Sequence, residues 1–233
     1  MKLSTIAKTS LALGILTTGV MTTHSQSVDA NGFNKGLQLI TDENKELVEY
    51  YKKPSFDFKN VNGFKDGNKF EFVDSKTNQF VKVELLGKDK HNLKEGASTN
   101  HDVFVVKENN SRQAETLSIG GITKSNGHDS IDPTVYPTLS LIEKNGNVIS
   151  NKNIGQYPIN KKEISLKELD FKLRQKLMDE HGLYKDKANK GDIVVKMKDG
   201  GKYTFELDKK LQDHRMGDVI DATQIDRIDV EYK

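Results

Sequence analysis

The chain has 233 residues, with 36 Lys and Arg against 34 Asp and Glu, six His, no Cys and a formal net charge of +2. So even a balance excludes a nucleic-acid binder working by bulk positive charge. The lack of cysteine excludes a disulfide scaffold and thiol chemistry.

Residues 1–30 read as a signal peptide. Lys2 and Lys8 form a basic start, Leu11 to Met21 is an apolar run too short to span a bilayer, and Val28-Asp29-Ala30 ends in a small-residue cleavage pattern. The protein is therefore expected to be secreted, with no membrane insertion. Lys2, Lys8 and Asp29 fall in that leader, so 34 basic and 33 acidic residues remain. The remaining length, roughly 200 residues, suits one large or two small domains. Residues 31–40 lack periodicity and read as a flexible N-terminal segment.

Thr41 to Tyr51 opens with acidic residues and puts Leu47, Val48 and Tyr51 on one face, which predicts a short helix ended by Lys52-Lys53-Pro54. Five strand signals follow: Phe56, Phe58 and Val61; Phe70 and Phe72 after the Asp66-Gly67-Asn68 turn; Phe80 to Leu86; Val103 to Lys107; and Leu117 to Thr123. Short strands without an intervening long helix suggest a small barrel. An OB-fold is the obvious candidate, although periodicity alone does not separate it from other small barrels. The phenylalanines alternate as core residues do, whereas single-strand binders need outward aromatics beside a basic groove, so no nucleic-acid partner is expected. Gly120-Gly121 lies inside the last strand signal, where paired glycines let another backbone approach or let the strand bend. No helix and no GK[ST] follow, which argues against a phosphate loop. Ser125 to Pro133 is polar and turn-rich and marks a boundary, giving domains over 41–127 and 128–233.

Val135 to Glu143 and Asn147 to Ser150, joined across Lys144-Asn145-Gly146, predict a hairpin. Lys161 to Tyr184 holds the longest helical pattern. Ser165 and Glu168 have capping-box spacing, Leu166, Leu169, Leu173 and Leu177 form an apolar stripe, and charged residues fill the other face. His181 and Gly182 end it. Asp192 to Met197 and Tyr203 to Leu207 predict a second hairpin, Asp208 can cap a short helix to about Met216, and Ile225 to Tyr232 closes the sheet. Strand, strand, helix, then three strands is the order of a β-grasp.

Lys161, Ile164, Leu169, Asp170, Arg174, Leu177, Leu183 and Tyr184 fall at the spacing of the staphylococcal and streptococcal superantigen toxin signature. Ile119 to Asn126 resembles that family's other signature, with Ile119 where the toxins commonly have Tyr. The chain, leader included, is most similar to the staphylococcal superantigen-like proteins, secreted immune-evasion factors that share the toxin fold without its T-cell mitogenicity. Lack of the toxins' disulfide-closed loop fits that branch and disfavours superantigenicity. The resemblance implies an α+β chain, an N-terminal OB-fold barrel followed by a C-terminal β-grasp domain.

No catalytic pattern is present: there is no cysteine, HExxH or GxSxG, and the histidines are scattered. His214 and Asp218 are four apart and could share a helical face, but exposed surface residues explain them better. No enzyme, metal or cofactor is expected. Lys202 to Arg215 is the informative stretch. Thr204 and Glu206 point the same way on a strand, and Lys209, Gln212 and Arg215 recur at three-residue spacing on the helix expected next. Read alone, this is either a shallow polar site or a solvated amphipathic element with Phe205, Leu207, Leu211 and Met216 inward. The resemblance favours the site. A subset of the family binds sialyllactosamine-containing glycans, such as sialyl Lewis X, through a motif here, and Thr204, Glu206, Lys209, Gln212 and Arg215 all match it. It thus implies a virulence factor binding sialylated glycoproteins on leukocytes or platelets, and admits a homodimer through the C-terminal strand region. The alternative is a protein-recognition module for an immunoglobulin, complement protein, Toll-like receptor or matrix protein. Gly155 to Ile159, with one aromatic, is poor in the residues of the branch that blocks Toll-like receptor 2.

Overall fold

The computed structural model describes residues 42–109, 115–126, 134–145, 148–185 and 190–232. The expected leader, the segment over 31–40, most of the expected boundary and the Gly146-Asn147 turn lie outside them.

Helix α1 (Asp42–Tyr51) precedes a six-stranded sheet of β1 (Ser55–Asp66), β2 (Lys69–Val73), β3 (Phe80–Glu84), β4 (Gly96–Val106), β5 (Thr116–Ile119) and β6 (Ile122–Lys124), ordered β5-β3-β2-β1-β4-β6. A short helix α2 (Asp89–Asn92), unforeseen in the sequence, sits between β3 and β4. The expected fifth strand is two strands, because Gly120 and Gly121 take φ of 53° and 84° and break the ladder between β5 and β6. Phe70, Phe72, Val81, Val83 and Val103 fill the barrel core. Phe56 departs from the expected core alternation and is 39% exposed. Its strand pairs with β2 only from Phe64 to Asp66, so the sheet has parted before it reaches Phe56.

The C-terminal half forms a five-stranded sheet of β8 (Thr138–Asn145), β9 (Val148–Gln156), β12 (Gly191–Met197), β13 (Lys202–Glu206) and β15 (Ile225–Tyr232), ordered β13-β12-β15-β8-β9. The strand β15 is central and parallel to β8, the mixed arrangement of a β-grasp. Short pairs β7 (Thr134–Val135) with β10 (Ile159–Asn160) and β11 (Glu163–Ser165) with β14 (Val219–Asp221) flank it.

Helix α3 (Leu166–His181) organises both halves. Ser165 Oγ accepts from Glu168 N at 3.1 Å, and Gly182 closes the helix at φ 70°. Only half of the capping box forms: the Glu168 carboxylate engages Lys161 at 2.8 Å and Lys172 at 2.7 Å. Charged residues do fill the other face, but its first two turns are covered: Lys167, Glu168, Asp170 and Arg174 are all buried, while Asp179 and Glu180 are exposed. The sheet covers the leucine stripe, while α1 and the barrel end cover the opposite face: Phe171 packs against Tyr50, Tyr51 and Phe104 with centroids 5.6–5.9 Å apart. Each charge there has a partner, as burial demands. Lys172 reaches Asp57 of the barrel at 2.9 Å. Lys167 Nζ donates to Ser118 Oγ and Ile119 O, both at 2.7 Å.

Candidate functional site

Strand β13 is an edge strand, so among the described residues no strand pairs its outward backbone groups. Two arginines cover that edge. Arg215 Nη2 donates to Thr204 O at 3.0 Å and Arg174 Nη2 to Glu206 O at 2.7 Å. The alternation follows from the pleat, which turns every second carbonyl outward. Phe205 and Leu207 point into the core, leaving the side chains of Thr204 and Glu206 half-buried on the other face.

The helix expected over 208–216 does not form. The chain turns at Leu207–Lys209 and makes a single 3-10 turn over Asp213–Arg215. The cause is a buried polar network. In a helix capped by Asp208 the cap's side chain would accept from an amide of the first turn such as Leu211 N, but Leu211 N donates to Tyr51 Oη at 3.3 Å, and Leu207 O, just before the cap, is held by Arg174 Nη1 at 3.0 Å and Tyr184 Oη at 2.9 Å. Tertiary bonds thereby replace the local ladder. Behind them, Asp170 accepts from Arg174 Nε at 2.7 Å and Tyr51 Oη at 2.6 Å, and Arg174 also donates to Tyr184 Oη. Burial would lower the Arg174 pKa, but Asp170, Tyr51 and Tyr184 outweigh it and hold the guanidinium firmly protonated. Burial foremost, then Asp170, pushes the Tyr51 hydroxyl well above its ordinary value.

The five predicted residues lie along this one edge, without the helical stripe. Arg215 Nη1 donates to Gln212 Oε1 at 3.0 Å, joining Arg215, Gln212 and Thr204 into one group, and its guanidinium stands 5.9 Å over the Phe205 ring. Lys209 pairs with Glu206 at 3.2 Å on the exposed side. The two groups meet through the strand, at Glu206 and Thr204. Lys210, between them in sequence, instead lies 4.5 Å over the Tyr50 ring and 3.2 Å from Asp213.

The barrel fixes the far end of the site. Gly121 N donates to Met216 O at 3.0 Å, and a Cβ on Gly120 would lie 2.5 Å from Met216 C. The glycine pair therefore does let another backbone approach, and that backbone directly follows Arg215. His214 and Asp218 share no helical face: His214 is exposed in the 3-10 turn, and Asp218 faces Lys88 at 3.6 Å. Among the described residues no three His, Cys, Asp or Glu gather as metal ligands would.

Asp170, Arg174 and Tyr184 stood out in the sequence only as signature positions and Tyr51 only as part of a helix face; their role in supporting β13 was missed. A signal existed in the i,i+4 pair Asp170–Arg174 on a helix whose neighbours are leucines. Its position beneath β13, however, is a tertiary fact.

An OB-fold barrel joined through a central helix to a β-grasp sheet defines the two-domain superantigen-toxin class. Family models agree: the staphylococcal superantigen-like OB-fold domain matches residues 45–126, and the staphylococcal/streptococcal toxin β-grasp domain matches residues 137–232. The chain belongs to the staphylococcal superantigen-like proteins. It is 49% identical to superantigen-like protein 11 of Staphylococcus aureus (strain Newman) over 99% of both chains, and 41% identical to staphylococcal superantigen-like 5 of that strain over the full length of both. Two solved structures of S. aureus superantigen-like proteins, each 40% identical with TM-score 0.72, cover 81% of this chain. One, 98% covered, is in complex with 3-N-acetylneuraminyl-N-acetyllactosamine; the other, 99% covered, is in complex with sialyl-Lewis X.

Proposed function

We propose that this chain is a secreted, non-catalytic immune-evasion protein whose β13 edge binds sialylated lactosamine-type glycans, sialyl Lewis X among them, on leukocyte or platelet glycoproteins. Signal peptidase would remove residues 1–30, leaving the barrel domain over 41–127 and the β-grasp domain over 128–233. The observation that carries the reading is the Arg215 guanidinium, fixed by Thr204 O and Gln212 Oε1 beside the strand. Two of its five N–H groups are so engaged, and the rest suit the planar carboxylate of a sialic acid. The Glu206–Lys209 pair is exposed and weakly held, so its members can re-partner with sugar hydroxyls at little cost. Thr204 and Gln212 add a hydroxyl and an amide for hydroxyl and N-acetyl groups. The solved complexes of relatives with sialylated glycans support this reading.

A shallow polar edge gives weak single-site affinity, so firm cell binding relies on clustered glycans or a dimer. Sialidase treatment tests the proposal. Neutrophils stripped of sialic acid should lose most captured protein, and Glu206→Gln should weaken binding to untreated cells. Undiminished capture on stripped cells would instead favour recognition of a protein surface.

A further inference from the structure

We infer that Asp89 of the barrel is a positioning residue for the β13 site, and that its taking up a proton tightens glycan binding as the medium turns acid. The inference rests on the glycan reading above and adds its regulation. Asp89 opens α2 and is 3% exposed. Its Oδ1 accepts from Gly87 N at 2.9 Å and Lys90 N at 3.1 Å, while Oδ2 is buried with no hydrogen-bond partner. A buried anionic oxygen without a donor is costly, and neutralising the carboxyl removes most of that cost.

The orphan oxygen lies against the segment that carries Arg215. A Cβ on Gly217 would stand 2.1 Å from Oδ2, so the carboxyl fills the place of a side chain there. Two further contacts close the same seam: a Cβ on Gly87 would stand 1.8 Å from His214 O, and Gly121 N donates to Met216 O at 3.0 Å. Arg215 N donates to Gln212 O at 2.8 Å and Asp218 N to Arg215 O at 3.0 Å, so residues 212–218 form one bonded turn. An ionised Asp89 favours withdrawal from Gly217 toward water, which loosens that turn; a neutral one lets it seat. A sugar held by Arg215 and Gln212 favours the seated turn, so binding and proton uptake support each other.

The surrounding charges do not neutralise Asp89. Beside it, Lys88 turns to Asp218 at 3.6 Å, Lys90 is half-buried with no contact to Oδ2, and His91 is exposed. On the turn, Arg215 is engaged by Thr204 O and Gln212 Oε1, and His214 is exposed. Across a recess of about 420 Å³ stand His101, bound to Ser98 Oγ at 2.6 Å, the exposed Lys124, and Glu163, which accepts from Lys124 N at 3.1 Å. Burial foremost, with Asp218 adding to it, outweighs the Gly87 and Lys90 amides and holds the Asp89 carboxyl above its ordinary value. The folded chain therefore keeps a proton that the unfolded chain has lost, and this group favours the seated state more as pH falls through its folded value.

The test titrates 3-N-acetylneuraminyl-N-acetyllactosamine into the full chain between pH 7.5 and 5, where a sialic carboxylate stays ionised and Arg215 stays protonated. Wild type should bind at least about threefold tighter at pH 5 and take up protons on binding, read from heats in two buffers of different ionisation enthalpy. Asp89→Asn, which keeps an acceptor for Gly87 N and Lys90 N, should show one affinity across the range. His214→Asn should keep the wild-type rise. Carbon-13 NMR of wild type, which needs no variant to fold, should show Asp89 titrating above the ordinary carboxyl range. A pH-independent wild type, a rise that survives Asp89→Asn, one that His214→Asn removes, or an Asp89 carboxyl titrating in the ordinary range would overturn the inference and leave glycan binding standing. No binding at any pH would sink the glycan reading and this inference with it.

Discussion

Replacing Tyr51 by Phe removes one oxygen atom and tests whether the buried network holds the glycan site. The hydroxyl donates to Asp170 Oδ2 at 2.6 Å and accepts from Leu211 N at 3.3 Å, in a side chain 1% exposed. A hydrogen bond to a charged group contributes about 1.5–3 kcal/mol, and a buried amide left without an acceptor costs about 1–3 kcal/mol. The Leu211 bond is long and its amide can relax, so the expected loss is about 3 kcal/mol. Ring packing survives, because Phe keeps the stack on Arg174 (4.6 Å) and the contact with Phe171. Urea denaturation measures the stability term. Glycan affinity, measured in the cold where the variant is fully folded, measures the positional one. Freeing Leu211 loosens the segment that carries Lys209 and Gln212, and lost pre-organisation should weaken binding about three- to tenfold. Val81→Ala in the barrel core costs about 2 kcal/mol far from β13 and should leave affinity intact. A stability loss under about 0.5 kcal/mol for Tyr51→Phe, or unchanged affinity, would refute the reasoning.

Gly120→Ala places a Cβ against Met216 at a backbone angle L-residues resist; stability should fall by about 2–4 kcal/mol and glycan binding should weaken with it. Lys209→Ala removes an exposed pair, so the denaturation midpoint should barely move, within about 0.5 kcal/mol, while glycan affinity drops. Burial lowers the Lys167 pKa from 10.5 to about 7. The unfolded chain therefore binds more protons above pH 7, and wild-type stability should rise with pH from 7 toward 10, by up to about 1.4 kcal/mol per unit from this group. Lys167→Met should flatten that contribution in denaturation curves taken at pH 6, 7, 8 and 9; parallel pH profiles would contradict it.

Local chemistry was the most legible part of the sequence. Ser165 and Gly182 set the limits of α3, and the hairpin flanking residues 198–201 formed where its turn residues predicted. The five site residues were legible as types and spacing, with the resemblance deciding between a site and a wet surface. What failed depended on distant partners. The helix over 208–216 lost to Arg174, Tyr184 and Tyr51, which hold Leu207 O just before the cap and the Leu211 amide of its first turn. The burial of Lys167, Glu168, Asp170 and Arg174 on the charged face of α3 was not legible, because helical periodicity cannot reveal a second layer covering the other side. Phe56 looked like core because alternation records a strand's two faces, not where the neighbouring strand leaves it.

The most direct test of the central claim is calorimetric titration of 3-N-acetylneuraminyl-N-acetyllactosamine into wild type and Arg215→Ala. The account predicts saturable binding by wild type and at least a tenfold loss in the variant, consistent with a charge-assisted contact of about 1.5–3 kcal/mol, with the variant's unfolding midpoint little changed. Equal affinities in the two proteins would contradict it.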